Sequence, residues 1–251
     1  ILKSLKCRSD LMAKPMKFFG FIQMFLSVLV LPFGFLIWGV SAIPGIWMFQ
    51  EVSEITDPLT RLFAQGAAIG IGLLAWCIVD LLILGFFGLI LRPRTSSAQA
   101  PTQSWLTLRW GFMSLFHRLA LPSLQWMVPS FVGNIYYSMM GMKIRNGAQI
   151  NSPNINDAYM IEVGSKTVIG GGAAINGHLF EKDGIHLAKV IIGSNCVIGS
   201  GSFIAPGCII GDRAVIASRA VLPKFTIIPQ GEIWGGIPAR RIREASSNES
   251  E

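Results

Sequence analysis

A polar insert in the second half of the chain carries the residues best suited to chemistry. It contains two of the three histidines in the sequence, and it reads Asn176-Gly177-His178-Leu179-Phe180-Glu181-Lys182-Asp183-Gly184-Ile185-His186. A neutral imidazole titrates near physiological pH, so it can take a proton from a hydroxyl or an amine as that atom attacks an electrophile. The insert is therefore the place where the sequence offers a general base.

The insert interrupts a repeat of six residues. Large apolar residues recur at every sixth position for eight steps: Ile192, Ile198, Ile204, Ile210, Ile216, Leu222, Ile228 and Trp234. The positions two residues before them are nearly all small: Cys196, Ser202, Cys208, Ala214, Ala220 and Thr226. Val163, Ile169 and Ile175 have the same spacing, and the register fails by one residue between Ile175 and Ile192. The cysteines, with Cys7 and Cys77, share no metal-like spacing and are interpreted as reduced fillers.

A period of six fits neither an α-helix nor one long strand. It fits a chain that forms a short strand, turns, and repeats this three times in a coil of eighteen residues. The aliphatic residues point into a prism of parallel sheets, and the coils stack at about 4.7–4.9 Å. The pattern predicts a parallel β-helix over residues 141–243, with an imperfect start at Ile144 and Ile150 and a disordered tail at 244–251.

Several motifs in this region resemble those of galactoside and maltose O-acetyltransferases, within the hexapeptide-repeat acyltransferase superfamily. They are Asn176-Gly177-His178, Ile192-Gly193-Ser194-Asn195-Cys196-Val197-Ile198-Gly199, Pro206-Gly207-Cys208-Ile209-Ile210-Gly211 and the closing Gly236-Ile237-Pro238-Ala239-Arg240-Arg241-Ile242. The resemblance covers about residues 150–243. It implies left-handed winding, acyl transfer from acetyl-CoA, and a homotrimer with active sites between subunits.

The resemblance also implies roles for particular residues. His178 would be the general base, with backbone N–H groups of a neighbouring coil stabilising the oxyanion. The basic residues Lys224, Arg240 and Arg243 would meet the coenzyme phosphates, although a solvated end of the domain explains them equally well. The backbone at Ser200 and Ser218 would border the pantetheine arm.

Other positions stay open. Asp157 and Glu162 are candidates to orient His178 or the acceptor, and Asn176 shares the motif with His178. His186 falls outside the match. Val197 stands where the family often has a tryptophan beside the coenzyme tunnel, so the coenzyme contact is expected to differ.

Two other functions remain as alternatives. Hexapeptide-repeat carbonic anhydrases bind zinc through three imidazoles, whereas this repeat region offers only His178 and His186, so no metal is expected. A non-catalytic β-helix that scaffolds a membrane complex or docks a partner is the other alternative.

The first 140 residues predict a membrane anchor. The chain is 51% hydrophobic and 14% charged, and the excess of apolar residues lies in this half. After a basic leader (1–17), two runs of about 18–40 and 66–91 are long enough to cross a bilayer, and Pro44-Gly45 is expected to end the first. Basic flanks and an acidic connection place both ends, and the β-helix, on the cytoplasmic side of the inner membrane. The net charge of +7 is accordingly assigned to the membrane surface, because no nucleic-acid motif is present.

Residues 92–140 are expected to connect the two halves. A linker (Thr95 to Ser104) precedes amphipathic interfacial segments from Trp105 to Tyr137 that are broken by Pro122 and Pro129, and His117 is expected to be interfacial. These segments would press the β-helix against the membrane or cap its first coil. Asp80, inside the second apolar run, is expected to pair with a polar group such as Gln23 or Ser27, to lie near an interface, or to be functional.

The N-terminal half, with Trp105-Leu106-Thr107-Leu108-Arg109-Trp110, is similar to the C-terminal membrane region of poly-amino-acid (non-ribosomal peptide) synthetases. This second resemblance implies a piece of a longer protein and an amine or hydroxyl on a peptide-like chain as acceptor. The other acceptor classes that remain open are a saccharide, a lipid-linked sugar and an amino compound.

Overall fold

The structure is a computed structural model, and it describes residues 16–93 and 97–243. Most of the predicted leader, the predicted tail and Cys7 lie outside these residues. Within residues 16–93 and 97–140, the N-terminal half contains four helices and one short strand: α1 (Phe19–Ser53), α2 (Pro58–Leu91), β1 (Ser97–Ala100), α3 (Trp105–Met127) and α4 (Phe131–Met139).

The two apolar segments form longer helices than the sequence predicted. Helix α1 does not end at Pro44-Gly45, and α2 begins at Pro58, where the Asp57 side chain accepts a hydrogen bond from the Thr60 amide. Proline removes one backbone hydrogen bond, whereas a helix end among apolar side chains would leave four carbonyl groups unsatisfied. Both helices are long and apolar enough to cross a membrane, and only 22% and 33% of their most apolar windows are buried.

Helix α3 packs along this pair of helices instead of breaking at Pro122. The Ser123 hydroxyl donates to Asp80 Oδ2 over 2.5 Å, and Trp38 Nε1 donates to the Leu119 carbonyl over 3.2 Å. Asp80 therefore pairs with a polar group, as predicted, but its partner is Ser123 of α3 and not Gln23 or Ser27, because α3 packs against α2 at this level.

Helix α4 covers the first coil of the repeat. The Tyr137 hydroxyl donates to the Ser152 carbonyl over 3.0 Å, and Tyr136 lies 3.2 Å from His117 Nδ1. His117 is thus buried, whereas the sequence predicted it at the membrane interface. Burial lowers the pKa of His117 to about 4, although nearby Asp157 opposes this shift. A histidine that stays neutral here packs as part of the core.

The C-terminal half is a prism of three sheets. Sheet I contains five parallel strands: β2 (Lys143–Ile144), β5 (Ile161–Val163), β10 (Val190–Ile192), β13 (Ile209–Ile210) and β16 (Ile227–Ile228). Sheet II contains five parallel strands and a closing antiparallel one: β3 (Gln149–Ile150), β6 (Val168–Ile169), β11 (Val197–Ile198), β14 (Val215–Ile216), β17 (Ile233–Gly236) and β18 (Ala239–Arg243). Sheet III contains four: β4 (Ile155–Asn156), β7 (Ala174–Asn176), β12 (Phe203–Ile204) and β15 (Val221–Leu222).

The six-residue rungs stack in register, as predicted. Ile192 pairs with Ile210, and Ile210 pairs with Ile228, so successive coils are 18 residues apart (192 to 210). Val163 also pairs with Ile192, but these two residues are 29 positions apart (163 to 192). The rungs from Ile192 to Ile228 are buried, and Cys196 and Cys208 fill corners as buried free thiols. The left-handed parallel β-helix, preceded by a helical hairpin, is confirmed.

The turns of the β-helix repeat with the same period. The residue three positions before each rung from Ile198 to Trp234 has a positive φ, and these residues are Asn195, Gly201, Gly207, Arg213, Arg219, Phe225 and Gly231. A left-handed backbone at every corner lets the chain turn by the same angle each time, and glycine reaches it without strain.

This geometry makes a prediction for two neighbouring glycines of the same type of corner. Gly201→Ala is expected to destabilise the domain by about 1 kcal/mol, because alanine is strained at φ +67°. Gly171→Ala is the control, since its Cβ would meet only the Asn151 carbonyl oxygen at 3.7 Å and no positive φ is required. Thermal unfolding of both variants measures the difference, and equal midpoints would contradict it.

The polar insert forms a β-hairpin and not a loop. Strand β8 (His178–Glu181) pairs antiparallel with β9 (Gly184–Ala188), and β1 adds a third strand through Ser97 to Ala100. Part of the segment predicted as a linker is therefore a strand that covers the hairpin edge.

Candidate active site

His178 and Asp157 form the centre of the site. His178 Nδ1 lies 2.5 Å from Asp157 Oδ2, and the two side chains are 20% and 2% exposed. Because an ionised carboxylate only accepts hydrogen bonds, the imidazole donates through Nδ1 and keeps the lone pair on Nε2. This tautomer leaves Nε2 as the atom that can take a proton.

Trp110 holds the other oxygen of the same carboxylate. Its Nε1 donates to Asp157 Oδ1 over 2.9 Å, and its ring lies 4.5 Å, centroid to centroid, from the imidazole. Phe180 packs edge-on against Trp110 with centroids 5.1 Å apart. A buried aspartate with both oxygens occupied has one orientation, and the histidine is fixed with it.

The glycine of Asn176-Gly177-His178 is required by close packing. A Cβ at Gly177 would lie 2.6 Å from Met160 Cβ and 2.9 Å from Asp157 Cβ. Asp157 has φ +60° and starts the short 3-10 helix Ala158–Met160, which brings its carboxylate under the start of β8. The motif therefore places the histidine against the aspartate.

Asn176 belongs to the same motif as His178, but its side chain is bonded to Asn156. The Asn156 amide donates to Asn176 Oδ1 over 2.7 Å, across the neighbouring strands β4 and β7. This pair joins two coils of sheet III directly beside the site.

Glu162 lies elsewhere, on the outer surface of sheet I. Its carboxylate accepts from Lys143 at 2.9 Å and from Lys189 at 2.7 Å. Hydrogen bonds from Lys189 and then Lys143 lower the pKa of Glu162. Of the two acidic residues left open by the sequence, Asp157 is the one bonded to His178.

His186 lies on the outer part of the hairpin, and Lys224, in the turn after β15, contacts the hairpin from outside. Lys224 Nζ lies 2.5 and 2.6 Å from the two oxygens of Glu181, and His186 Nε2 lies 2.8 Å from Asp183 Oδ1. His178 is paired with Leu187 across the hairpin, so His186 projects from the opposite face. The two imidazoles do not converge on one point, which argues against a shared metal.

The other predicted coenzyme residues lie away from His178 in the single chain. Ser200 and Ser218 are exposed at the edge that follows sheet II strands, whereas His178 follows a sheet III strand. Arg240 and Arg243 are exposed on β18, and Val197 is 45% exposed on the outside of β11. In a single chain, the proposed base and the residues proposed to contact the coenzyme therefore lie on different edges of the prism.

Trp110 and Phe180 are site residues that the sequence did not reveal. Trp110 was part of a motif, but no spacing connects residue 110 with residue 178. Their role follows only from the packing of α3 on the hairpin.

Comparison with known proteins supports the repeat. The family described as bacterial transferase hexapeptide (six repeats) matches residues 189–224, so this part of the chain is a hexapeptide repeat of that type. No curated protein matches the chain. These 36 residues coincide with the strict rungs of coils that lie directly after the hairpin.

Solved structures with similarity to the chain include three acetyltransferases. A maltose O-acetyltransferase from Clostridium difficile 630 is 20% identical, with a TM-score of 0.43 over 60% of this chain and 94% of its own. A galactoside acetyltransferase in complex with coenzyme A is 20% identical, with a TM-score of 0.35 over 52% and 81%. A serine acetyltransferase from Neisseria gonorrhoeae in complex with serine is 15% identical, with a TM-score of 0.35 over 80% and 83%.

Proposed function

We propose that the protein is a membrane-tethered acyltransferase that transfers an acetyl or other acyl group from acyl-CoA to a hydroxyl or an amine. The observation that carries this proposal is the buried Asp157 carboxylate bonded to His178 Nδ1, which leaves Nε2 free to act as a base. Trp110, against the imidazole and bonded to the carboxylate, keeps this arrangement in place.

The reaction follows from this tautomer. The acceptor oxygen or nitrogen attacks the thioester carbonyl carbon, and His178 Nε2 takes the acceptor's proton as the new C–O or C–N bond forms. The carbonyl then re-forms and the C–S bond breaks. The coenzyme leaves as a thiolate, which takes the acceptor's proton from the imidazolium. Asp157 stabilises the imidazolium between these two steps.

The separation of the two edges favours a site shared between copies of the chain. We propose a homotrimer in which His178 of one chain faces the edge with Ser200 and Ser218 of the next. An exposed apolar ladder on sheet I supports self-association, because Ile191, Ile209 and Ile227 lie in register and are 38%, 42% and 65% exposed.

The helices α1 and α2 favour a membrane location for this activity. Their apolar side chains are mostly exposed, which is costly in water and expected in lipid. The proposal places the β-helix at the cytoplasmic face, where acyl-CoA is available. The acceptor there is a saccharide, a lipid-linked sugar, an amino compound or an amine of a peptide-like chain.

The test is free-thiol release from acetyl-CoA by the detergent-purified full chain, with a panel of sugars, lipid-linked sugars and amino compounds. We expect acceptor-dependent thiol release and coenzyme A binding by calorimetry. The absence of both thiol release and coenzyme A binding would overturn the acyltransferase proposal and favour a scaffold that docks a partner.

Asp157 is expected to act as a positioning residue. Asp157→Asn keeps the size of the side chain but removes the charge that stabilises the imidazolium, and we expect kcat to fall by about 10²-fold. KM for acetyl-CoA should change little, because Asp157 is buried behind the histidine. Parallel losses in kcat and in thermal stability would instead mean that Asp157 is only structural.

A further inference from the structure

A groove between α1 and α3 adjoins the proposed active site. Its walls are the beginning of α1, from Phe19 to Val30, and the face of α3 from Thr107 to Arg118, and its volume is about 310 Å³. Trp110 lines this groove and also packs against His178. A molecule in the groove is therefore separated from the proposed base by one side chain.

The lining of the groove suits an amphiphile. Apolar side chains such as Leu26, Phe112 and Leu115 form most of its surface, and Ser27 and Ser114 add hydroxyls. Arg118 is the one charged side chain among the described residues that line it, and it is exposed. A mainly apolar site with a few polar groups and one cation fits an alkyl chain attached to an acidic head group.

The outer surface of α1 provides the route to the groove. Phe21, Phe25 and Leu29 on the same part of the helix are 66%, 54% and 50% exposed. These side chains would lie in lipid if α1 crosses the bilayer, so a membrane-resident molecule can reach the groove sideways. A water-soluble acceptor would gain nothing from such a wall.

We propose that this groove binds the acceptor, and that the acceptor is a membrane-resident amphiphile with an acidic head group that carries the hydroxyl or amine to be acylated. This inference rests on the proposed acyltransferase function. Its alkyl chain lies between α1 and α3, its head group meets Arg118, and the reacting atom passes Trp110 to reach His178.

Gly111 provides a variant that fills the groove without disturbing the fold. It lines the groove, and a Cβ there would meet no atom within 4 Å. Gly111→Leu therefore occupies space that the alkyl chain would use. Gly39→Leu is the matched control, because Gly39 lies on α1 with equally open surroundings but outside the groove.

The experiment measures binding without requiring turnover. The full chain is reconstituted in phosphatidylcholine vesicles with phosphatidylglycerol, whose acidic head group carries free hydroxyls, bearing a diazirine in its acyl chain, and the cross-linked peptides are mapped after irradiation. We expect labelling on both groove walls that falls about tenfold in Gly111→Leu and is unchanged in Gly39→Leu. Labelling that is insensitive to Gly111→Leu would overturn the groove as a lipid site.

Two further arms separate the parts of the proposal. Arg118→Gln should weaken labelling by the phosphatidylglycerol probe but not by a diazirine-bearing phosphatidylcholine, and equal effects on both probes would overturn the acidic head group. Thiol release from acetyl-CoA is measured on the same samples. Specific labelling without thiol release would overturn the assignment of this lipid as the acceptor, whereas the proposed function is overturned only if the whole acceptor panel also gives no release and coenzyme A does not bind.

Discussion

Replacement of His178 by alanine is expected to reduce acyl transfer by about 10²–10⁴-fold, the usual contribution of a positioned general base. Because His178 Nδ1 is bonded to Asp157, the other ring nitrogen, Nε2, is free to take a proton from the acceptor. The loss should fall on kcat, because the imidazole acts on the proton of the acceptor and not on the coenzyme. Thiol release at saturating acetyl-CoA measures it.

His186→Ala is the matched control for this prediction. His186 lies on the same hairpin and its side chain is 19% exposed, close to the 20% of His178. It projects from the opposite face of the hairpin and bonds Asp183, so its loss should leave transfer unchanged. Equal rates in wild type and His178→Ala would show that another group is the base.

The second large effect is expected inside the prism. Ile198→Ala removes a fully buried rung of β11 and should destabilise the domain by about 2–5 kcal/mol, because the stacked coils above and below cannot close the cavity. Ile198 pairs with Ile169 on one side and with Ile216 on the other. The loss is therefore shared by three consecutive coils.

Val197→Ala on the same strand is the control. Val197 points outwards and is 45% exposed, so its truncation should cost less than about 1 kcal/mol. Thermal unfolding followed by circular dichroism, with native-state hydrogen exchange of residues 190–216, measures both variants. A similar shift for the two would mean that the rungs do not carry the stability of the domain.

The repeat was predictable because its period, its rungs and its corners depend on local spacing. Each rung from Ile192 to Trp234 follows from the preceding one by six residues, and one physical rule covers all of them. The helices were predictable as apolar runs, but their ends were not. Helix α1 continues past Pro44 because its backbone carbonyl groups have no other hydrogen-bond partners there, and the local sequence does not show this.

The site was only partly predictable for a similar reason. His178 follows from its motif, whereas the choice of Asp157 over Glu162 depends on two lysines that neutralise Glu162 on another sheet. Trp110 reaches the carboxylate from a helix 47 positions earlier in the chain. Contacts at such separations are set by tertiary packing, which a periodic pattern does not encode.

The short strand β1 has a further consequence. It begins six positions after the last residue of α2 (91 to 97), and it pairs along β9 of the hairpin that carries His178. The hairpin that carries His178 is thus held by the strand that follows the two apolar helices. A β-helix excised at residue 141 would lose both β1 and Trp110, and β9 would become an exposed edge strand that is paired only with β8. The smallest unit that carries the site is therefore larger than the repeat, because it includes the segment that joins α2 to the β-helix.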